Sequence, residues 1–161
     1  MGIKVTFITI GKVREQYLQL GIAEFKKRLC RFCKLEIVEV KEEMIPDRAS
    51  PQELALIRQK EGALALSRLA EGAYVVAMDI DGQHLSSEQL ARKVQDVVTY
   101  GKSHLIFLIG GSIGLADEVK ERADLRLSFS KMTFPHQLFR LMLFEQVYRV
   151  FKINANETYH K

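Results

Sequence analysis

The hydrophobic and polar positions of this chain fall into two alternating rhythms. Ile3–Ile10 is a run rich in β-branched residues that ends at Gly11, the pattern of a buried strand. From Arg14 to about Leu29, the residues Leu18, Ile22, Phe25 and Leu29 recur at spacings of four, three and four, which predicts a one-faced helix. Leu35–Val40 alternates as a second strand, and the polar, acidic run Lys41–Arg48 reads as a surface loop. Ser50-Pro51-Gln52-Glu53 joins a capping box to a proline at the first helical position, predicting a helix to about Leu69. Tyr74–Ile80 is a continuous apolar strand, with Asp81-Gly82 as the turn out of it. Ser86-Ser87-Glu88-Gln89 caps a helix to about Tyr100, where Gly101 stops it. Leu105–Ile109 and Leu125–Phe129 are short strands, and Pro135–Ile153 is strongly helical, with Thr133 or Phe134 as its boundary residue. The order βαβαβαβ, then one more strand and helix, predicts an α/β fold: a parallel sheet with helices on both faces.

The last helix has few polar positions. At 100° per residue Phe139, Leu141, Leu143, Phe144, Val147, Tyr148, Val150 and Phe151 share one wide arc, and Arg140 falls inside it. A guanidinium there needs an anionic or carbonyl partner in the core, at a subunit interface or on a substrate. Glu145 and Arg149 form an i, i+4 pair on the other side. Such an apolar helix calls for cover from its own domain and from a second copy of the chain.

With 161 residues, 47% hydrophobic and 27% charged, the chain suits one globular domain spanning 1–161 that buries roughly 70% of its unfolded surface. No apolar run approaches the ~20 residues that span a bilayer, and the N-terminus has no signal-peptide pattern, so a cytoplasmic protein without membrane contact is expected. Met1-Gly2 with Thr6 matches a myristoylation pattern, but the strand begins at once and the match reads as chance. From Arg126 onward there are six Lys/Arg and two Asp/Glu, so this segment holds the whole net charge of +4. A positive field of this kind attracts polyanions, nucleic acid above all.

Two loops carry chemistry. Gly110-Gly111-Ser112-Ile113-Gly114 permits close backbone approach to a ligand but is neither a P-loop nor a dinucleotide fingerprint. It does match the G-x-S-x-G elbow of serine hydrolases, with Asp117 or Asp124 and then His136 in hydrolase order. Against that reading, no oxyanion segment precedes it and no strong helix follows directly. The second loop, Phe129–His136, lies between a strand and a helix, where ligands collect in open α/β sheets. Cys30-x-x-Cys33 follows a helix and lacks partner ligands for zinc, so both cysteines read as structural and no metal is expected.

A glycine loop after one strand and a polar-aromatic loop after the next suggest a nucleoside-type cofactor held largely by backbone groups. IGGSIGL (109–115), LSFSKMTFPHQLFR (127–140), EQVYRVFKI (145–153) and the terminal Tyr159-His160 closely resemble the ribosomal large-subunit methyltransferase H family of the SPOUT superfamily. The likeness runs over essentially the whole chain, including the DGQHLSSE segment at 81–88. It implies a single-domain SPOUT-type α/β knot with a C-terminal trefoil, working as a cytoplasmic homodimer. It also implies S-adenosyl-L-methionine as cofactor and N3 of a pseudouridine in helix 69 of 23S rRNA, within assembled ribosomes, as target. By motif position the cofactor contacts are Met78, Gly110 and the run Phe129, Ser130, Lys131, Met132, Thr133, Phe134. His136, Arg140, Tyr159 and His160 are the candidates for handling the imide proton, while Lys131, Lys152 and Lys161 face RNA phosphates or water. Alternatives are an RNA-binding protein with a vestigial pocket and a methyltransferase acting on transfer RNA.

Overall fold

The computed structural model describes residues 2–158. Its order is β1 (Ile3–Ile10), α1 (Gln16–Leu29), β2 (Cys33–Val40), α2 (Pro51–Leu66), β3 (Tyr74–His84), α3 (Ser87–Thr99), β4 (His104–Ile109), α4 (Asp117–Arg122), β5 (Leu125–Ser128) and α5 (His136–Asn154). All five strands join one parallel sheet in the order β2-β1-β4-β3-β5. The α/β class and parallel sheet expected from the hydrophobic pattern are therefore present.

Strand alternation sends side chains into two cores. Val5 and Phe7 of β1 pack with Phe107, Phe144, Val147 and Phe151 beneath α1, α3 and α5. Ile8 and Ile10 join Val75, Ala77, Ile106, Leu108 and Val119 beneath α2 and α4. Phe7 stacks on Phe144 with centroids 4.1 Å apart and on Phe107 at 5.5 Å, so the middle of α5 is bolted to the middle of the sheet. The apolar arc of α5 is this contact: Leu143, Phe144, Val147, Val150 and Phe151 are all buried.

Both capping boxes form. Ser50 accepts from the Glu53 N–H and Glu53 from the Ser50 N–H, each at 3.1 Å. Ser86 and Gln89 do the same at 3.1 and 2.8 Å. Gly101 ends α3 with φ +103°, a left-handed conformation that suits glycine.

The pattern does not predict the short α4, and several element ends are shifted by one to three residues; two differences bear on the site. Asp81-Gly82 is not the turn out of β3, which runs on to His84. Val76–Met78 pair with Leu125–Leu127, residues 79–82 leave the ladder, and Gln83 and His84 pair with Leu127 and Ser128. Gly82 makes this possible, since a Cβ there would lie 2.6 Å from the carbonyl carbon of Arg126. A pattern that signals a turn locally serves here for close passage of two backbones. Helix α5 starts one step later than expected: Pro135, with φ −55° and ψ 130°, is the boundary residue itself.

Candidate functional site

The carboxyl ends of β3, β4 and β5 converge on one cavity of about 160 Å³, open to a mouth that brings the empty space to about 620 Å³. Such a crevice is where open α/β sheets place ligands. Pockets for drug-sized ligands measure roughly 300–1,000 Å³, so a nucleoside-sized guest would fill the interior and extend into the mouth.

The glycine loop forms one wall. Gly114 has φ +80°, its N–H donates to the Gly111 carbonyl at 3.1 Å, and the two residues form an isolated antiparallel bridge. The loop is wound so tightly that a Cβ on Gly110 would sit 2.7 Å from the carbonyl carbon of Gly114. Glycine at 110 is thus a steric requirement, and it leaves backbone facing the cavity. Ser112 is exposed and does not line it. A nucleophile elbow needs a strand, a strained turn and an immediate helix; here α4 begins only at Asp117. Asp124, the other acid considered for a triad, accepts the Val75 N–H at 2.8 Å and so ties β5 to β3.

The opposite wall is the loop after β5. Ser128 Oγ donates to the Ser130 carbonyl at 3.1 Å, and the Met132 N–H donates to Ser130 Oγ at 3.0 Å, so serine hydroxyls set the loop's curvature. Phe129 packs on Phe139 with centroids 4.9 Å apart, and Phe134 on Phe139 at 6.3 Å, pinning both loop ends to the first turn of α5.

The proposed contacts divide as follows. Met78, Gly110, Phe129, Ser130, Met132, Thr133 and Phe134 all line the cavity, as does His136. Lys131 belongs to the same loop but is exposed and does not line it. Arg140 lies elsewhere: it is 2% exposed, Nη1 donates to the Gly11 carbonyl at 2.9 Å and Nη2 to the Ile10 carbonyl. It found the carbonyl partner that its place on the apolar arc demanded, at the end of β1. Lys152 pairs with Glu157 at 2.9 Å, and Arg31 pairs with the same carboxylate. Tyr159 and His160 lie outside the described residues.

Burial, followed by the nearby Arg140 and Arg14 charges, lowers the His136 pKa below its ordinary value, with Glu42 opposing. The imidazole is therefore biased toward the neutral, proton-accepting form. Asp79 was missed by sequence reading although it lines the cavity 93% buried. A carboxylate at the end of an otherwise apolar strand was the available signal.

Cys33 is buried, its thiol donates to the Leu29 carbonyl at 3.5 Å, and burial followed by the Cys30 charge pushes its pKa up to about 12. That is a structural thiol. Among the described residues no group of three or more His, Cys, Asp or Glu is placed to hold a metal ion. No helix there is long and apolar enough to cross a membrane.

Against this geometry, the family model described as "Predicted SPOUT methyltransferase" matches residues 3–160. The chain belongs to the SPOUT methyltransferase family. Two relatives, both called "Ribosomal RNA large subunit methyltransferase H", are from Clostridioides difficile (strain 630) and Bifidobacterium adolescentis. Each is 52% identical, over 157 and 158 residues respectively, covering 98% of this chain and 99% of the relative. Among solved structures, the tRNA (m1G37) methyltransferase of Aquifex aeolicus is similar with a TM-score of 0.53 and 14% identity, over 91% of this chain and 70% of that one. At that identity the likeness shows the SPOUT fold alone.

Proposed function

We propose that the chain transfers the methyl group of S-adenosyl-L-methionine to N3 of a pseudouridine in helix 69 of 23S rRNA, acting on assembled ribosomes as a cytoplasmic homodimer. The observation that carries this reading is the coincidence of seven residues, picked by motif position alone, on the walls of one strand-end cavity. Its fit to the donor is supported by the glycine wall, where Gly110 leaves no room for a Cβ, and by the apolar faces of Met78, Phe129 and Phe139. Full-length likeness to two proteins whose names specify ribosomal RNA supports the substrate class. A C-terminal segment threaded into a trefoil knot belongs to the same reading, as the family resemblance implies.

When bound, the donor supplies a methyl group already activated by its sulfonium, so alignment is the protein's main task. The loops at 110–114 and 129–134 hold the donor from two sides through backbone groups and exclude water from between them. The target nitrogen must lose its proton as the N–C bond forms. His136, neutral and on the cavity wall, is the described group best placed to accept it. Activity limited by His136 persists above its lowered pKa and is lost as pH falls through it. Arg140 acts in this scheme by holding α5, and hence His136, against the end of β1.

The test is nucleoside mass spectrometry after incubation of ribosomes or deproteinised rRNA with the protein and labelled donor. One methylated pseudouridine in 23S rRNA, formed much faster on whole ribosomes, is expected. Equal rates on bare RNA, or label only in small RNA, would overturn the reading.

A further inference from the structure

The geometry points to Asp79 as the residue that selects the donor's sugar, its carboxylate accepting hydrogen bonds from the vicinal hydroxyls of the nucleoside. This assignment rests on the donor reading above and adds a specificity determinant to it. Among the described residues lining the cavity, Asp79 is the one acidic side chain. Its side chain is only 3% exposed; Oδ1 accepts the Asp81 N–H at 3.0 Å and lies 3.5 Å from the Lys120 ammonium. Oδ2 accepts no hydrogen bond from the described residues, and Asp79 lines the cavity. That leaves it unsatisfied until a guest in the cavity supplies a donor.

A buried carboxylate oxygen with free lone pairs is costly until a donor reaches it. The Asp81 amide, bonded to Oδ1, fixes the carboxylate's rotamer, so Oδ2 is a pre-positioned acceptor. Aromatic and aliphatic walls at Phe129, Phe139, Ile109 and Leu127 suit the flat base, leaving the polar rim at the end of β3 for the sugar. A ribose diol offers two O–H donors, the partners that a lone anionic oxygen requires. Asp79 follows Met78 directly, so base and sugar contacts come from consecutive residues of one strand.

Calorimetric titration of the full-length protein with S-adenosylhomocysteine and with its 2′,3′-dideoxy analogue tests the assignment. The wild type should prefer the diol by about 10- to 100-fold, the range for a hydrogen bond to a charged group. Asp79→Asn keeps an oxygen for the Asp81 amide but removes the charge, and should shrink that preference to below about 5-fold, by weakening the diol probe alone. Lys120→Met, which leaves the carboxylate in place, should retain most of it. Thermal unfolding of each variant registers any general loss of structure, which would lower both affinities together. Equal wild-type affinity for the two probes, or undiminished preference in Asp79→Asn, would overturn the assignment. Loss of preference in Lys120→Met equal to that in Asp79→Asn would also do so, reducing Asp79 to the lysine's partner. Failure of the wild type to bind either probe would overturn the donor reading itself and this assignment with it.

Discussion

Replacing Gly110 by alanine is the sharpest steric probe of the cavity wall. A Cβ at that position would lie 2.7 Å from the carbonyl carbon and 3.0 Å from the Cα and carbonyl oxygen of Gly114. Non-bonded carbons rest at about 3.5–4.0 Å, so the overlap is roughly 0.8 Å or more, and it is against backbone that has no rotamer to change. Forcing such an overlap typically costs about 1–3 kcal/mol. The Gly111–Gly114 turn must open to relieve it, displacing the backbone that faces the ligand. If that cost is recovered on binding only by restoring the strained loop, affinity for S-adenosylhomocysteine falls about 5- to 150-fold. Gly72→Ala is the matched control: its φ of +80° makes alanine strained there too, but nothing lies within 4 Å of the new methyl and it is remote from the cavity. Calorimetry should show a weakened Gly110→Ala protein and a Gly72→Ala protein that binds like wild type while unfolding at a slightly lower temperature. Wild-type affinity in Gly110→Ala, or equal losses in both variants, would refute the argument.

Arg140→Met leaves the buried Ile10 and Gly11 carbonyls without donors at about 1–3 kcal/mol each, partly offset by relief of guanidinium desolvation. Its unfolding midpoint should drop by roughly 5–15 °C, and unchanged stability would show that the anchor is dispensable. Glu61 is 1% exposed, accepts the Glu43 N–H through Oε2 at 3.0 Å and leaves Oε1 unpaired; burial, the largest cause, raises its carboxyl pKa above 4.5. The folded state therefore holds that proton more tightly than the unfolded chain, so its contribution is complete below about pH 4.5 and is lost as pH rises through the raised value. Glu61→Gln, compared with wild type by urea unfolding from pH 4 to 8, should remove this decline and be the more stable protein at pH 7; a steeper decline would contradict the sign. With a thiol reagent at pH 8, exposed Cys30 should react at once and Cys33, held near pKa 12, only after denaturation; two fast thiols would place Cys33 wrongly.

The fold was legible wherever side-chain chemistry is local. Capping boxes at Ser50 and Ser86 each express a contact within a few residues, while the β-branched run of β1 and the apolar arc of α5 express the period of their own element, and each is present. Asp81-Gly82 misled because the need for glycine at 82 arises from the Arg126 backbone of another strand, which no window of neighbours contains. Arg140 was legible as a group in need of a carbonyl, but the identity of that carbonyl, at the end of β1, is a property of sheet order. The cavity loops were found through glycines and a strand–loop–helix pattern, whereas Asp79 reads as part of the continuous apolar strand Tyr74–Ile80 and is given no role there. Only the convergence of three strand ends makes it a wall.

The central claim is that one methyl donor lies between the loops at 110–114 and 129–134. A crystal structure of the protein soaked with S-adenosylhomocysteine tests it most directly. Density between those loops, with the nucleoside in contact with the Gly110 backbone, is predicted. Density lodged instead in the cleft of Thr9, Lys26 and Arg140 between α1 and α5 would contradict it.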